Sequence, residues 1–425
     1  MELALDSGRR QPAAERRRPR HGRFPQVSGT RGPNRRPPAR RLDPTVYRRR
    51  RLAVALAAIL IVAVLVGIVS LVVGGPSAKT GTSSTTTTRG PLIPPSGIGR
   101  KTVTWTDTNP SAGLVFNPAP GGSAGPRTLV TEIWYPSIGG SETTPTSGEK
   151  PDYGGGPFPV IVFAHGFDTL PATYNPLLAS WVKAGFVVVA PLFPDENANR
   201  INSLGHLTAT QSEEVESDVV KEPYDIAYVV GKVESGADGA ASSGASWLKG
   251  LAEPGKIALA GHSDGAQVVA ALVYGEKYAS SYEAMATRPF GVVILSGSEL
   301  SGTYAPPASP PPMLFVQSAG DRCNLPQDAG TLFHDAGGGL FLKLIGGHHF
   351  SPYIGKGAAA PVVEKVTTAF LKAAAQGVPS SSALAASADV PGIATLYGPS
   401  RAPVLTALPE PSQTQRSEAC AAPSS

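Results

Sequence analysis

The pentapeptide Gly261-His262-Ser263-Asp264-Gly265 sets a serine between two glycines. The apolar run Lys256-Ile257-Ala258-Leu259-Ala260 precedes it, and a second apolar stretch, Ala266 to Val273, follows. That is strand, sharp turn and helix, with the serine at the tip of the turn, the context in which G-x-S-x-G is a nucleophile elbow. Such a turn needs glycines because a side chain would clash with the neighbouring strand or helix. A helix N-terminus beside the serine favours a developing negative charge. The bland alternative is a serine that simply caps the helix.

A serine nucleophile needs a base to take its proton and an acid to orient the base. The chain has seven histidines. His348 and His349 follow the apolar run Leu340–Leu344 and two glycines, so either could be the base. His206 lies in a polar loop and His334 in a predicted helix. His262 should point away from the site. Asp321, in Ser318-Ala319-Gly320-Asp321 after the run Met313–Val316, is the candidate acid, with Glu299 as the substitute. The order Ser263, Asp321, histidine is the chain order of an α/β-hydrolase triad. Two oxyanion donors are expected: the backbone N–H of Asp264 and that of Phe167, in the loop Ala164-His165-Gly166-Phe167-Asp168. His165, Gly166 and Phe167 are the candidate substrate-binding residues. Adjacent histidines in an extended chain point apart, and no HExxH or Cys/His cluster is present, so neither a metal nor a cofactor is expected.

Positioning these groups requires strands that end near one another. The segments 127–135, 158–164, 186–190, 256–260, 292–295, 313–316 and 340–344 read as strands. Several are continuously apolar, as buried parallel strands are. Helices are expected over 177–184, 213–233 and 360–375, the second kinked or split at Pro223. The alternation predicts an α/β, doubly wound, mostly parallel sheet with its site at the carboxyl ends of the strands. The segment Gly297–Pro312 is too short for a large lid.

With these pieces in place, residues 127–375 resemble α/β-hydrolases of the dienelactone hydrolase, chlorophyllase and polyester hydrolase (cutinase-like) group. The matching motifs are Trp134-Tyr135-Pro136, His165-Gly166-Phe167, Ala184 to Pro191, the elbow, Gly320-Asp321 and His349-Phe350. The base in that group commonly precedes a phenylalanine, so the resemblance selects His349. Dienelactone hydrolases proper carry a cysteine where this chain has Ser263, and Asp264 replaces the more usual methionine or arginine.

Charge divides the chain. Residues 1–51 carry 16 arginines against four acids, whereas the remainder carries 21 basic and 28 acidic residues. The basic part is therefore a tail. Leu52 to Val73 follows it, 22 uncharged and mostly aliphatic residues, long enough to cross a bilayer. Arg48 to Arg51 at its start place the N-terminus in the cytoplasm. The expected organisation is an Arg-rich disordered tail (1–51), a signal-anchor transmembrane helix (52–73), a Thr/Ser/Gly/Pro linker (74–100), a hydrolase domain (101–375) and a low-complexity tail (376–425). The two cysteines, Cys323 and Cys420, would tie that last tail to the domain if they met outside the cell, where a disulfide is allowed.

The expected function is a single-pass, membrane-anchored extracytoplasmic serine esterase acting on small-molecule or lipidic carboxylic esters, with no nucleic-acid partner. An acyltransferase would use the same triad. A non-catalytic, hydrolase-fold envelope protein would not need one.

Overall fold

In the computed structural model the described residues are 96–109, 112–115, 125–378, 384, 388–398 and 403–423, all within one compact unit, Thr88–Ser425. The expected Arg-rich tail, transmembrane span and most of the linker lie outside them. Among the described residues no helix is long and apolar enough to cross a membrane.

Strands β1 (Gly97–Asp107), β2 (Leu114–Val115), β3 (Gly125–Ser137) and β4 (Thr146–Ser147) come first. Then follow β5 (Phe158–Ala164), helix α1 (Asn175–Lys183), β6 (Val187–Leu192), α2 (Ala198–Leu204), α3 (Ala209–Glu216) and α4 (Glu222–Ala237). Next are β7 (Ala252–His262), α5 (Asp264–Tyr274), α6 (Ala279–Ala284), β8 (Val292–Leu295), β9 (Met313–Ser318), α7 (Pro326–Asp335) and β10 (Leu340–Leu344). The chain closes with α8 (Ala360–Ala375), β11 (Ala394–Tyr397) and α9 (Gln413–Cys420). One sheet runs β11-β10-β9-β8-β7-β5-β6-β3-β1-β4, with β2 beside β3. From β6 to β10 neighbours are parallel. β1, β3 and β11 pair antiparallel. This mixed sheet with helices on both faces is consistent with the α/β-hydrolase fold.

The side-chain period of a strand explains the two cores. On β5, Val160, Val162 and Ala164 face one core with α4 and α5, while Ile161 and Phe163 face the other with α1 and α8. β7 divides likewise: Ile257 and Leu259 on one side, Ala258 and Ala260 on the other. Strands apolar on both faces must be central, which puts the β7–α5 turn in the middle of the sheet edge.

The helix read as 213–233 is two helices. α3 ends at Glu216, a 3₁₀ turn spans Ser217–Val220, and α4 carries Pro223 in its first turn, where no intrahelical N–H is needed. Residues 376–425 correct the sequence reading. They supply β11, which pairs with β10, and α9, capped by Ser412, whose hydroxyl accepts from the Gln415 N–H.

β3 is tied to this helical face by a buried arginine. Arg127 is wholly inaccessible; its Nε and Nη2 donate to Asp225, and its Nη1 donates to Asp218 at 2.8 Å. Removing one partner of a buried ion pair strands the others uncompensated, at about 3–5 kcal/mol. Arg127→Ala is therefore expected to lower unfolding free energy by at least about 3 kcal/mol in urea denaturation. A change under about 0.5 kcal/mol, the scale of a neutral surface substitution, would contradict the assignment.

Candidate active site

Ser263 stands at the β7–α5 turn with φ 56° and ψ −122°. Asp168 and Ser296, at the ends of β5 and β8, are the other non-glycine residues with positive φ among those described. Each such conformation costs about 1–3 kcal/mol and persists only where surrounding packing enforces it. Here the enforcement is steric. A Cβ at Gly261 would lie 2.2 Å from the Gly265 carbonyl oxygen, and one at Gly265 would lie 2.2 Å from that of Ala164. The Ser263 hydroxyl makes no capping bond to α5. It meets His349 Nε2 at 2.8 Å instead. His349 Nδ1 meets Asp321 Oδ2 at 2.9 Å. Asp321 Oδ1 accepts the N–H groups of Cys323 at 2.9 Å and Asn324 at 3.1 Å. All three residues are buried.

The structure thus brings together Ser263, Asp321 and His349, and does so with His349 rather than His348. His348 is exposed and bonds through its backbone to Ser351. Glu299 lies beside Asp335, not at the imidazole.

Phe167, Ser263 and Asp264 share a cleft of about 560 Å³ with Phe350 and α9. Among the described residues neither the Phe167 nor the Asp264 N–H has an acceptor. Gly166 must stay bare: a Cβ there would lie 3.0 Å from Ser263 Cβ and 3.2 Å from the Tyr174 hydroxyl. His165 faces inward, contrary to its expected contact with substrate. Its Nδ1 donates to the Gly166 carbonyl at 2.8 Å and its Nε2 accepts the Phe193 N–H at 3.0 Å. Those bonds fix the neutral tautomer, and burial holds the imidazole down at about 4. Asp168 and Ala198 backbone bonds lash the same loop to residues 193–198. Through these bonds His165 holds the loop in place.

Sequence reasoning missed a hydrogen-bond chain through the elbow. The Gly166 N–H donates to the Tyr174 hydroxyl at 3.1 Å, which donates to His262 Nδ1 at 2.9 Å. His262 Nε2–H then donates to the His349 carbonyl at 3.0 Å. Burial, then the nearby charge of His349, holds the His262 imidazole far below its ordinary value, so it stays neutral as the chain requires. Its place in the pentapeptide marked His262 for attention; nothing in the sequence marks Tyr174.

Behind the site, Glu196 and Glu222 are wholly buried next to each other and to Asp218. Burial chiefly, and the neighbouring carboxylates, push both well above the carboxylate range. Asp264, in the cleft, is pushed up to about 6 by burial; the His349 charge opposes this and Glu216 adds to it. Among the described residues no group of three His, Cys, Asp or Glu is placed to hold a metal. A second groove, of about 660 Å³, lies between α1 and α8 and contains none of the triad.

The chain matches no protein-family model and no curated protein. Among solved structures, a ferulic acid esterase from Streptomyces cinnamoneus is similar, at 18% identity over 71% of this chain and 96% of that one, with a TM-score of 0.47. The chemistry assigned to this site rests on its own residues.

Two outcomes follow. His262→Phe keeps the ring but strands the Tyr174 hydroxyl and the His349 carbonyl, so it is expected to cost about 1–3 kcal/mol in urea denaturation. A loss within about 0.5 kcal/mol would sink the positioning role. In the fold Glu196 and Glu222 hold their protons to higher pH than in the unfolded chain, which releases both near the ordinary value of 4.5. Raising pH above that value therefore favours unfolding. Between mildly acid and neutral pH the urea midpoint should fall, and Glu222→Gln should flatten the fall. An unchanged slope in the variant would contradict the buried-acid assignment.

Proposed function

We propose that this chain is a serine hydrolase that cleaves carboxylic esters through an acyl-enzyme. The observation that carries the reading is the continuous hydrogen-bonded line from the Ser263 hydroxyl through His349 to Asp321. Ser263 Oγ attacks the ester carbonyl while His349 Nε2 takes its proton. Asp321 accepts from Nδ1–H, fixing the tautomer that leaves Nε2 free as a base and stabilising the imidazolium that forms. The tetrahedral oxyanion sits between the Phe167 and Asp264 N–H groups, where a fixed donor is worth about 2.7–4 kcal/mol. His349 returns the proton to the leaving alcohol. Water, deprotonated by the same imidazole, then attacks the acyl-enzyme and frees Ser263. No metal or cofactor enters any step.

The motifs Trp134-Tyr135-Pro136, His165-Gly166-Phe167 and His349-Phe350 support kinship with the dienelactone hydrolase, chlorophyllase and polyester hydrolase group. The uncharged run 52–73 behind four arginines supports a single-pass anchor with this domain outside the cell. The Cys323–Cys420 disulfide suits that compartment.

Hydrolysis of p-nitrophenyl esters tests the reading. Ser263→Ala and His349→Ala should each lower kcat by about a thousandfold or more, and the double variant should fall little further, because the residues act as one unit. Turnover retained in folded Ser263→Ala protein would overturn it.

A further inference from the structure

The C-terminal arm, residues 403–423, is clamped across the acid side of the site at four points. Lys343 Nζ donates to the Val404 carbonyl at 2.8 Å. The Gln327 amide pairs with both backbone groups of Leu408, at 2.9 and 3.1 Å. Arg416 Nη1 donates to the Cys323 carbonyl at 3.0 Å, its other nitrogen paired with Glu410. Cys420 is disulfide-bonded to Cys323 across 97 residues of sequence, with Cα atoms 4.9 Å apart. Cys323 stands two residues beyond Asp321 and donates its N–H to that carboxylate. The bridge therefore fastens α9 to the loop that carries the triad acid.

What the arm does there follows from what it faces. Gln413, Arg416, Ser417 and Cys420 line the same cleft as Ser263, Asp264 and Phe167. The segment Gly297–Pro312, where a lid could be inserted, contains no helix and only a single bridge, at Tyr304. The residues that border the cleft on this side therefore come from the C-terminal arm.

We propose that residues 403–423 are the size-selecting wall of the substrate cleft: the Cys323–Cys420 bond holds α9 over Ser263 and limits the bulk of the ester group admitted. The inference rests on reading Ser263 as an activated nucleophile. Freed of the bridge, the arm keeps Leu405 packed on the core and hydrogen bonds at partly exposed sites, while α9, beyond Leu405, loses its covalent hold and should yield to larger groups. Bulk added at Ser417, which is exposed on the cleft side, should narrow the opening without disturbing packing.

The test measures the rate at which the full chain is covalently labelled at Ser263 by two fluorophosphonates, one with a methyl and one with a long-chain branched substituent. In each case the serine oxygen bonds phosphorus and fluoride leaves, so neither ester hydrolysis nor an acyl acceptor is needed. The quantity read is the long-to-short rate ratio, which cancels any shared change in triad reactivity. Cys420→Ser should raise the ratio by about tenfold, the scale of one or two methylenes' worth of fit, and Ser417→Trp should lower it similarly. A ratio unchanged in both labelled variants would overturn the wall while leaving the nucleophile intact. Rates that fall in parallel for both probes in Cys420→Ser would show the bridge acting only on the acid loop, and also overturn it. Absence of label on Ser263 in the unmutated chain would defeat the serine-hydrolase reading itself.

Discussion

The neutral imidazole of His262 is the constraint on which the site depends. It accepts from Tyr174 on one side and donates to the His349 carbonyl on the other. Tyr174 in turn receives the Gly166 N–H. Four residues from the oxyanion loop, helix α1's entry, the elbow and the histidine loop are thus held in one line of hydrogen bonds. Gly166 and Tyr174 are eight residues apart, but the elbow lies 88 residues further on and the histidine loop another 87, and they meet only because their strands end at one edge of the sheet. His262, next to Ser263 in sequence, thus anchors the backbone of His349. A protonated His262 would have no acceptor for Tyr174, so the same burial that depresses its basicity keeps the line intact.

Around that line the protein stores its unfavourable terms. Ser263, Asp168 and Ser296 occupy positive φ at the ends of three neighbouring strands. Glu196 and Glu222 are buried beside each other and the Arg127 network. Strain and buried polar groups gather around these loops, and the two apolar cores flanking β5 and β7 supply the compensation. Departures from local rules at a reactive site, offset by ordinary packing elsewhere, are the expected pattern for a site built to act rather than to be stable.

The central sheet and the triad were legible in the sequence for the same reason. Buried parallel strands such as 158–164 are continuously apolar, and loops at their ends carry isolated polar residues in a fixed order. Ser263, Asp321 and the His348-His349 pair came from that order, the resemblance selected His349, and the structure brings Ser263, Asp321 and His349 together. His165 was misread because a loop position beside a candidate donor does not say which way an imidazole points; only the Phe193 N–H and Gly166 carbonyl decide it. The C-terminal arm was illegible for a different reason. Its sequence is rich in Ala, Ser and Pro, without periodicity, and its placement depends on one disulfide and a few side-chain-to-backbone bonds with distant residues. Strand β1 was missed because its sequence is largely polar, with Thr102, Thr104 and Thr106 alternating on an exposed face. The expected membrane anchor lies outside the described residues and stays a reading of the sequence.

The most direct test of an activated serine is covalent labelling of the protein with a simple alkyl fluorophosphonate, located by peptide mass spectrometry, beside His349→Ala and His348→Ala. The account predicts label on the Ser263 peptide, its loss in His349→Ala and its retention in His348→Ala. Label that survives His349→Ala, or falls on another serine, would contradict it.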